Sequence, residues 1–202
     1  MIIQPIVEGH GEVGAVPELL RRLIAKSGNP AIEVAKPIRA HRGDLICEER
    51  LSRRLQVARA KRPDGILIML DGDDDCPATL AGQIRDWATA SANPIPCEVV
   101  IAHREYEAWF LGAIESLRGM RGVSHDAVSE LQPEAFRDAK GRLESKMVSG
   151  QYVETADQVA LTSSFDMGAA YRSCRSFRRF VRAFEILATG GGAMLTDWPP
   201  HW

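Results

Sequence analysis

The four cysteines, Cys47, Cys76, Cys97 and Cys174, include no CxxC pair. That spacing excludes a zinc ribbon and points to reduced thiols in a cytosolic protein. No stretch approaches the roughly eighteen uninterrupted apolar residues that a membrane-spanning helix needs, so no membrane partner is expected. Met1 to Glu12 has no basic region ahead of a long apolar run and does not read as a signal peptide. The expected location is cytoplasmic. Charge of one sign is also missing: the formal net charge is −2, so any nucleic-acid contact must come from a local basic patch. No GK[ST] is present, which excludes a Walker-type phosphate loop. Ser163 and Ser164 have no base at recognisable spacing, and no internal repeat or low-complexity segment occurs.

What is present centres on Gly65-Ile66-Leu67-Ile68-Met69-Leu70-Asp71-Gly72-Asp73-Asp74-Asp75. An apolar run of that kind, opened by Pro63-Asp64-Gly65, predicts a strand buried on both faces. It runs straight into four acids. Each pair of carboxylates at about 4 Å repels by roughly 4 kcal/mol at an effective dielectric near 20, so a cation is the natural offset. A solvated acidic turn is the plainer alternative.

Ile2-Ile3-Gln4-Pro5-Ile6-Val7 predicts a first strand, which Pro5 would place at an edge or a bulge. Val13, Val16, Leu19, Leu20, Leu23 and Ile24 then form a helical stripe, with Pro17 tolerated only in the first turn, so the helix is expected to start near Gly14 or Ala15. A second strand is expected over Ile32 to Ile38, and a helix over Ile46 to Ala60 with Arg50, Arg53, Arg54 and Arg59 outside. After the acidic strand come a helix from Cys76-Pro77, a fourth strand over Glu98 to Ala102, and a helix through Ala108, Trp109, Phe110 and Leu117. This alternation predicts an α/β domain with a mainly parallel four-stranded sheet flanked by helices. Residues 1–118 form that core, and residues 119–202 a mainly helical extension packed on it. The extension ends in an arginine-rich helix near Tyr171 to Ala188 and a Trp198-Pro199-Pro200-His201-Trp202 tail.

Open parallel sheets bind ligands beyond the carboxyl ends of their strands. Glu8, Asp71 to Asp75, and Glu105 with Glu107 all sit at such ends, so separate segments deliver carboxylates to one rim. Magnesium takes oxygen ligands and keeps several waters, which suits two or three carboxylates with room for a phosphate. His10 and His103 lie nearby without a HxxxH or cysteine partner and read as supporting groups rather than zinc ligands. Trp109 and Phe110 read as core.

Glu8-Gly9-x-x-Glu12 after a first strand, with Asp71-x-Asp73 after a later one, resembles the paired signature of the Toprim fold. The chain resembles Toprim nucleases of the overcoming-lysogenisation-defect type. It is most similar to a bacterial Toprim-like family of unknown function, through Arg104-Glu105-Tyr106-Glu107-Ala108-Trp109-Phe110 and Ser176-Phe177-Arg178-Arg179. The resemblance implies a Mg2+ (or Mn2+) dependent phosphodiesterase acting on DNA or RNA. Glu8, Asp71 and Asp73 would hold the first ion, with Glu12, Asp75, Glu105 and Glu107 available for a second. Among these Glu12 and Glu105 rank above Asp75, and Asp74 ranks last as a solvated group. Catalytic roles would fall to Glu8, Glu12, Asp71, Asp73 and Glu105, with Lys140 or Lys146 stabilising the phosphorane. Arg53, Arg54, Arg178 and Arg179 are the candidate nucleic-acid contacts. The resemblance also implies prokaryotic defence against phage or plasmids and a separate ATPase subunit, and leaves a homo-oligomer open. Two rivals stand beside it: a metal-dependent hydrolase or transferase on a nucleotide or small phosphoester, and a non-catalytic sensing or interaction subunit.

Overall fold

The structure, a computed structural model, describes residues 1–148 and 150–190. The Trp198 to Trp202 tail and the glycines after Gly190 lie outside those residues. The order of elements is β1 (Ile2–Val7), α1 (Glu12–Ser27), β2 (Glu33–Val34), β3 (Ile38–Arg39), α2 (Arg42–Leu45), α3 (Glu48–Ala60), β4 (Gly65–Asp71), α4 (Pro77–Ala92), β5 (Cys97–Ala102) and α5 (Glu107–Leu111). There follow α6 (Ala139–Glu144), a π-helical turn (Glu154–Gln158), α7 (Val159–Thr162), α8 (Met167–Ser173) and α9 (Arg175–Thr189). The fold is α/β.

The sheet is parallel throughout. β1 pairs with β2 and β3 on one side and with β4 on the other, and β4 pairs with β5. The chain therefore turns from one side of β1 to the other between β3 and β4. Parallel sheets open a crevice at such a reversal, here between the ends of β1 and β4. Strand β4 is buried on both faces, as its unbroken apolar run predicts. Leu67 and Met69 join the cluster under α1 and α9, with Leu19, Leu23, Phe177 and Phe184. Ile66, Ile68 and Leu70 join the cluster under α3 and α4, with Leu51, Leu55, Leu80 and Ile84. The first of these clusters runs on through Trp109, Phe110, Phe165 and Phe180, so residues before and after position 118 share one core. Among the described residues no helix is long and apolar enough to cross a membrane, and all four cysteines carry free thiols.

Several expectations are corrected. Pro5 lies in a central strand, not at an edge or a bulge. The reason is local: the expected second strand is broken into β2 and β3, and the break at Ala35 to Pro37 falls beside Pro5. Two prolines thus meet where neither could donate to the ladder. The buried Gln4 amide bridges the gap, donating from Nε2 to the carbonyls of Pro5 and Lys36 at 2.9 Å each. Helix α1 starts at Glu12, earlier than expected, and carries Pro17 inside it. The region before α3 forms the separate short helix α2, and the helix expected through Leu117 stops at Leu111 before a 3-10 turn at Ile114–Leu117.

The arginine-rich helix is also split, with Cys174 extended between α8 and α9. Glu134, from a distant 3-10 turn, accepts the backbone N–H groups of Arg175 at 2.8 Å and Ser176 at 2.7 Å. Those donors would otherwise be orphaned at a helix start. A remote carboxylate therefore caps α9 and fixes where it begins.

Candidate functional site

Several of the rim acids are held by backbone N–H groups. Glu12 opens α1, is buried, and reaches back so that one carboxylate oxygen accepts the N–H of Glu8 at 3.0 Å and of Gly9 at 2.9 Å. This folds Glu8-Gly9-His10-Gly11 into a tight loop. Asp71 ends β4, and its Oδ1 accepts the N–H of Tyr106 at 2.9 Å. The turn beyond it is pinned to the end of β5. Gly72 N–H donates to the carbonyls of Ala102 at 2.8 Å and Arg104 at 2.9 Å, and Asp73 N–H donates to Arg104 at 3.0 Å. A side chain on Gly72 would meet the Ala102 carbonyl oxygen at 2.9 Å, so the glycine is required by close approach. Asp73 itself adopts φ +46, a conformation aspartate tolerates better than most residues. Glu105 follows β5, and its Oε2 accepts the N–H of Lys140 at 2.8 Å. Glu107 begins α5 and is buried.

These segments converge. Glu12, Asp71, Asp73, Glu105 and Glu107 line one cavity of about 140 Å³ together with Gly9, Lys140, Glu154 and Gln158. Glu8 stands at its edge with Oε2 buried and lacking a hydrogen-bond partner. Burial raises the carboxyl pKa values, and the neighbouring acids raise several of them further. Glu12 is pushed up to about 8 by burial and then by the charges of Glu8 and Glu107. Glu107 is pushed up to about 7, first by burial. Asp71 is held well above the usual carboxylate range by burial, then by Glu12, Glu107, Glu8 and Glu105. Glu8 and Glu105 are raised too, burial being the leading cause in each. Desolvated acids crowded in this way must take up protons or share a cation.

The remaining sequence candidates are scattered. Asp75 lies on the rim in an ion pair with Arg42 at 2.6 Å. Asp74 is 69% exposed and faces Arg104 at 2.8 Å and Arg137 at 3.4 Å. Of the two lysines, Lys140 lines the cavity, whereas Lys146 pairs with Glu130 at 2.8 Å and is not among the lining residues. None of the candidate nucleic-acid arginines is among the lining residues. Arg53 pairs with Glu49 one turn back on α3, and Arg54 with Asp44 at 2.8 Å. Arg178 donates to the carbonyls of Tyr171 at 2.7 Å and Arg172 at 3.1 Å. Arg179 pairs with Glu98, near the start of β5 and so toward the end of the sheet remote from the acids.

Three contributors carry no periodic signal that would single them out: Arg42, Glu154 and Gln158. The last two lie on the π-helical turn, a geometry that recurs at functional sites. Glu154 Oε1 accepts the N–H of Gly11 at 3.2 Å, and its Oε2 lies 3.6 Å from Lys140 Nζ. Gln158 is buried with Oε1 unpartnered. The loop at Gly11 fits only because glycine is there, since a Cβ would lie 2.1 Å from Gln158 Oε1 and 2.8 Å from the Glu154 carbonyl oxygen. Gly11→Ala is expected to lower the melting temperature by about 5 °C through overpacking, measured by scanning calorimetry. An unchanged melt would mean that the π-turn does not press on this loop.

The donor set suits a hard cation in kind: it is all oxygen, mostly anionic, and includes Glu8 Oε2 and Gln158 Oε1, which accept no hydrogen bond. Among the described residues no three acids, histidines or cysteines already stand in ion-holding geometry. Their oxygens are engaged elsewhere: Glu12 and Asp71 accept backbone N–H groups, Asp75 accepts from Arg42, and Glu8 and Asp73 form ion pairs with the same arginine. Side-chain rotation at Glu8 and Asp73 would release them.

Residues 7–185 match the family model described as a domain of unknown function, DUF4276. No curated protein and no solved structure matches the chain. The matched span runs from the end of β1 into α9, taking in every acid of the cavity and both lysines weighed against it. The chain belongs to the DUF4276 family.

Proposed function

We propose that the chain is a divalent-metal-dependent phosphodiesterase of Toprim type acting on DNA or RNA. The observation that carries this reading is the convergence of three strand ends on one small cavity, lined by Glu12, by Asp71 and Asp73, and by Glu105 and Glu107. The family description names no activity, so the likeness to Toprim nucleases rests on the motifs and on this convergence. Glu8, Asp71 and Asp73 would hold one Mg2+ or Mn2+, with Glu12, Glu105 and Glu107 available for a second. Such an ion supplies Lewis-acid polarisation of the phosphate and an activated water. The chain's own residues do the rest. Glu12 and Glu107 give up the protons that burial lets them keep, Lys140 offers an ammonium group to a phosphate oxygen, and the π-turn narrows the cavity around the reacting centre. An ATPase partner and a role in prokaryotic defence belong to the same proposal.

A small phosphoester is the second reading, favoured by one observation: Arg178 and Arg179 are engaged by helix carbonyls and by Glu98 rather than forming a basic track to the acids. The test is incubation with mixed DNA, mixed RNA and bis-p-nitrophenyl phosphate in Mn2+, comparing wild type with Asp71→Ala/Asp73→Ala. Nucleic-acid cleavage lost in the double variant is the expected result. Cleavage that persists in the variant would sink the site. Hydrolysis of the small ester alone would favour the second reading. Absence of Mn2+ binding by calorimetry, with no activity, would favour a sensing or interaction subunit instead.

A further inference from the structure

Arg42 opens α2 just beyond β3, at the same end of the sheet as Glu8 and Asp71. Its guanidinium spans acceptors from two strand ends. Nη1 donates to the Asp71 carbonyl at 2.5 Å and lies 3.7 Å from Glu8 Oε2. Nε lies 3.4 Å from Asp73 Oδ2, and Nη2 donates to Asp75 Oδ2 at 2.6 Å. The side chain is 21% exposed, so one edge of the fork meets solvent at the mouth of the site.

An ordinary surface ion pair needs one partner and contributes little. Arg42 instead supplies the counter-charge for three carboxylates, two of which are the groups proposed above to hold the ion. Guanidinium and divalent ion therefore compete for the oxygens of Glu8 and Asp73. When those turn to the ion, like charge opposes the old contacts. The Asp75 carboxylate and the Asp71 carbonyl still tether the arginine at the rim. A planar fork with freed donors, fixed beside a cation and open to solvent, matches the geometry of phosphate oxygens.

We infer that Arg42 is the phosphate-binding side chain of this site, neutralising Glu8 and Asp73 until an ion takes them and then holding the non-bridging oxygens of the substrate phosphate. The inference rests on the metal-dependent reading and names the residue by which that site would recognise its substrate class.

The test uses the whole chain with Arg42→Gln and Arg42→Lys. Each is titrated calorimetrically with Mn2+ alone, and then, loaded with Mn2+, with inorganic phosphate. Arg42→Gln is expected to bind Mn2+ about 3- to 10-fold more tightly, because a competing charge is gone. It should bind phosphate about 10- to 100-fold more weakly, the loss expected for a charge-assisted contact. Arg42→Lys should fold and bind Mn2+ close to wild type while recovering phosphate affinity only in part, since a point charge lacks the fork. Phosphate affinity unchanged in Mn2+-loaded Arg42→Gln would overturn the inference. So would Mn2+ affinity that falls in both variants with the melting temperature intact, which would make Arg42 a prop for the acidic turn. Wild type that binds no Mn2+ would overturn the metal reading itself, a failure separate from either of these.

Discussion

Metal-free protein is expected to melt roughly 10 °C lower at about pH 8.5 than at about pH 5.5, and saturating Mg2+ should remove most of that difference. The sign follows from the buried acids. Glu12 titrates near 8 in the fold against an ordinary 4.5, and Glu107 near 7. Asp71 is raised in the same direction. Below the ordinary value both folded and unfolded chains are protonated and the groups contribute nothing. Between the ordinary and the folded value the unfolded chain has released protons that the folded chain retains, so stability falls as pH rises through that window. One pKa unit corresponds to about 1.4 kcal/mol, and mutual coupling shares the protons among the three, so a total of about 3–5 kcal/mol is a reasonable scale. Asp44, held low by the hydrogen bond from Arg54, has finished titrating below this window and does not oppose the trend.

Asp71→Asn separates charge from shape. The amide oxygen can still accept the Tyr106 N–H, while the charge is gone. The metal-free variant should therefore match wild type near pH 5.5, melt higher near pH 8.5, and respond little to Mg2+. Differential scanning fluorimetry across the pH range checks all three. A wild-type melt that is flat across the window would mean that these carboxylates are solvated, and the convergence on one cavity would lose its electrostatic meaning.

Glu8, Asp71 and Glu105 could be read from short segments because each closely follows a run that predicts a strand. Asp71 after Ile66 to Leu70 and Glu8 after Ile2 to Val7 need no knowledge of the partner strands to be placed at a rim. Their convergence then follows from parallel topology. Arg42, Glu154 and Gln158 offered no such handle. They come from a polar connection and from a π-turn with no apolar period, and their roles exist only through contacts across the fold. Pro5 misled for a related reason. A proline argues for an edge when its neighbours are unknown, but here the missing donor faces a break in the adjacent strand, and the Gln4 side chain fills the gap. The arginines of α9 were not decided by pattern, because a periodic charged face looks the same whether it meets phosphate, solvent or, as Arg179 does, a glutamate of the same chain.

Trp109→Ala should lower the melting temperature by about 10–15 °C, from a loss of about 3–5 kcal/mol for a fully buried tryptophan. Trp109 has no exposed surface. Its ring lies 4.6 Å from Tyr106, 5.2 Å from Phe177 and 5.6 Å from Phe180, centroid to centroid, tying α5 to α9. Its indole N–H donates to Ser176 Oγ at 2.7 Å, and that hydroxyl donates to Glu134 Oε1 at 2.5 Å. Truncation therefore opens a cavity and also loosens the carboxylate that caps α9. Trp109→Phe keeps a six-membered ring but loses the fused pyrrole ring with its donor, so it should cost about 2–3 kcal/mol, a smaller cavity plus one buried hydrogen bond lost. Both variants lose the donor, so the difference between them measures the packing of the remaining ring. Glu107 stands two residues before Trp109 on the same short helix, so the core that orders the tryptophan also positions a cavity acid. Mn2+ affinity should accordingly fall in Trp109→Ala but hold in Trp109→Phe. If Trp109→Ala melted within a few degrees of wild type, the aromatic cluster would not be the element that fixes the end of β5 against the C-terminal helices, and the placement of Glu107 would need another cause.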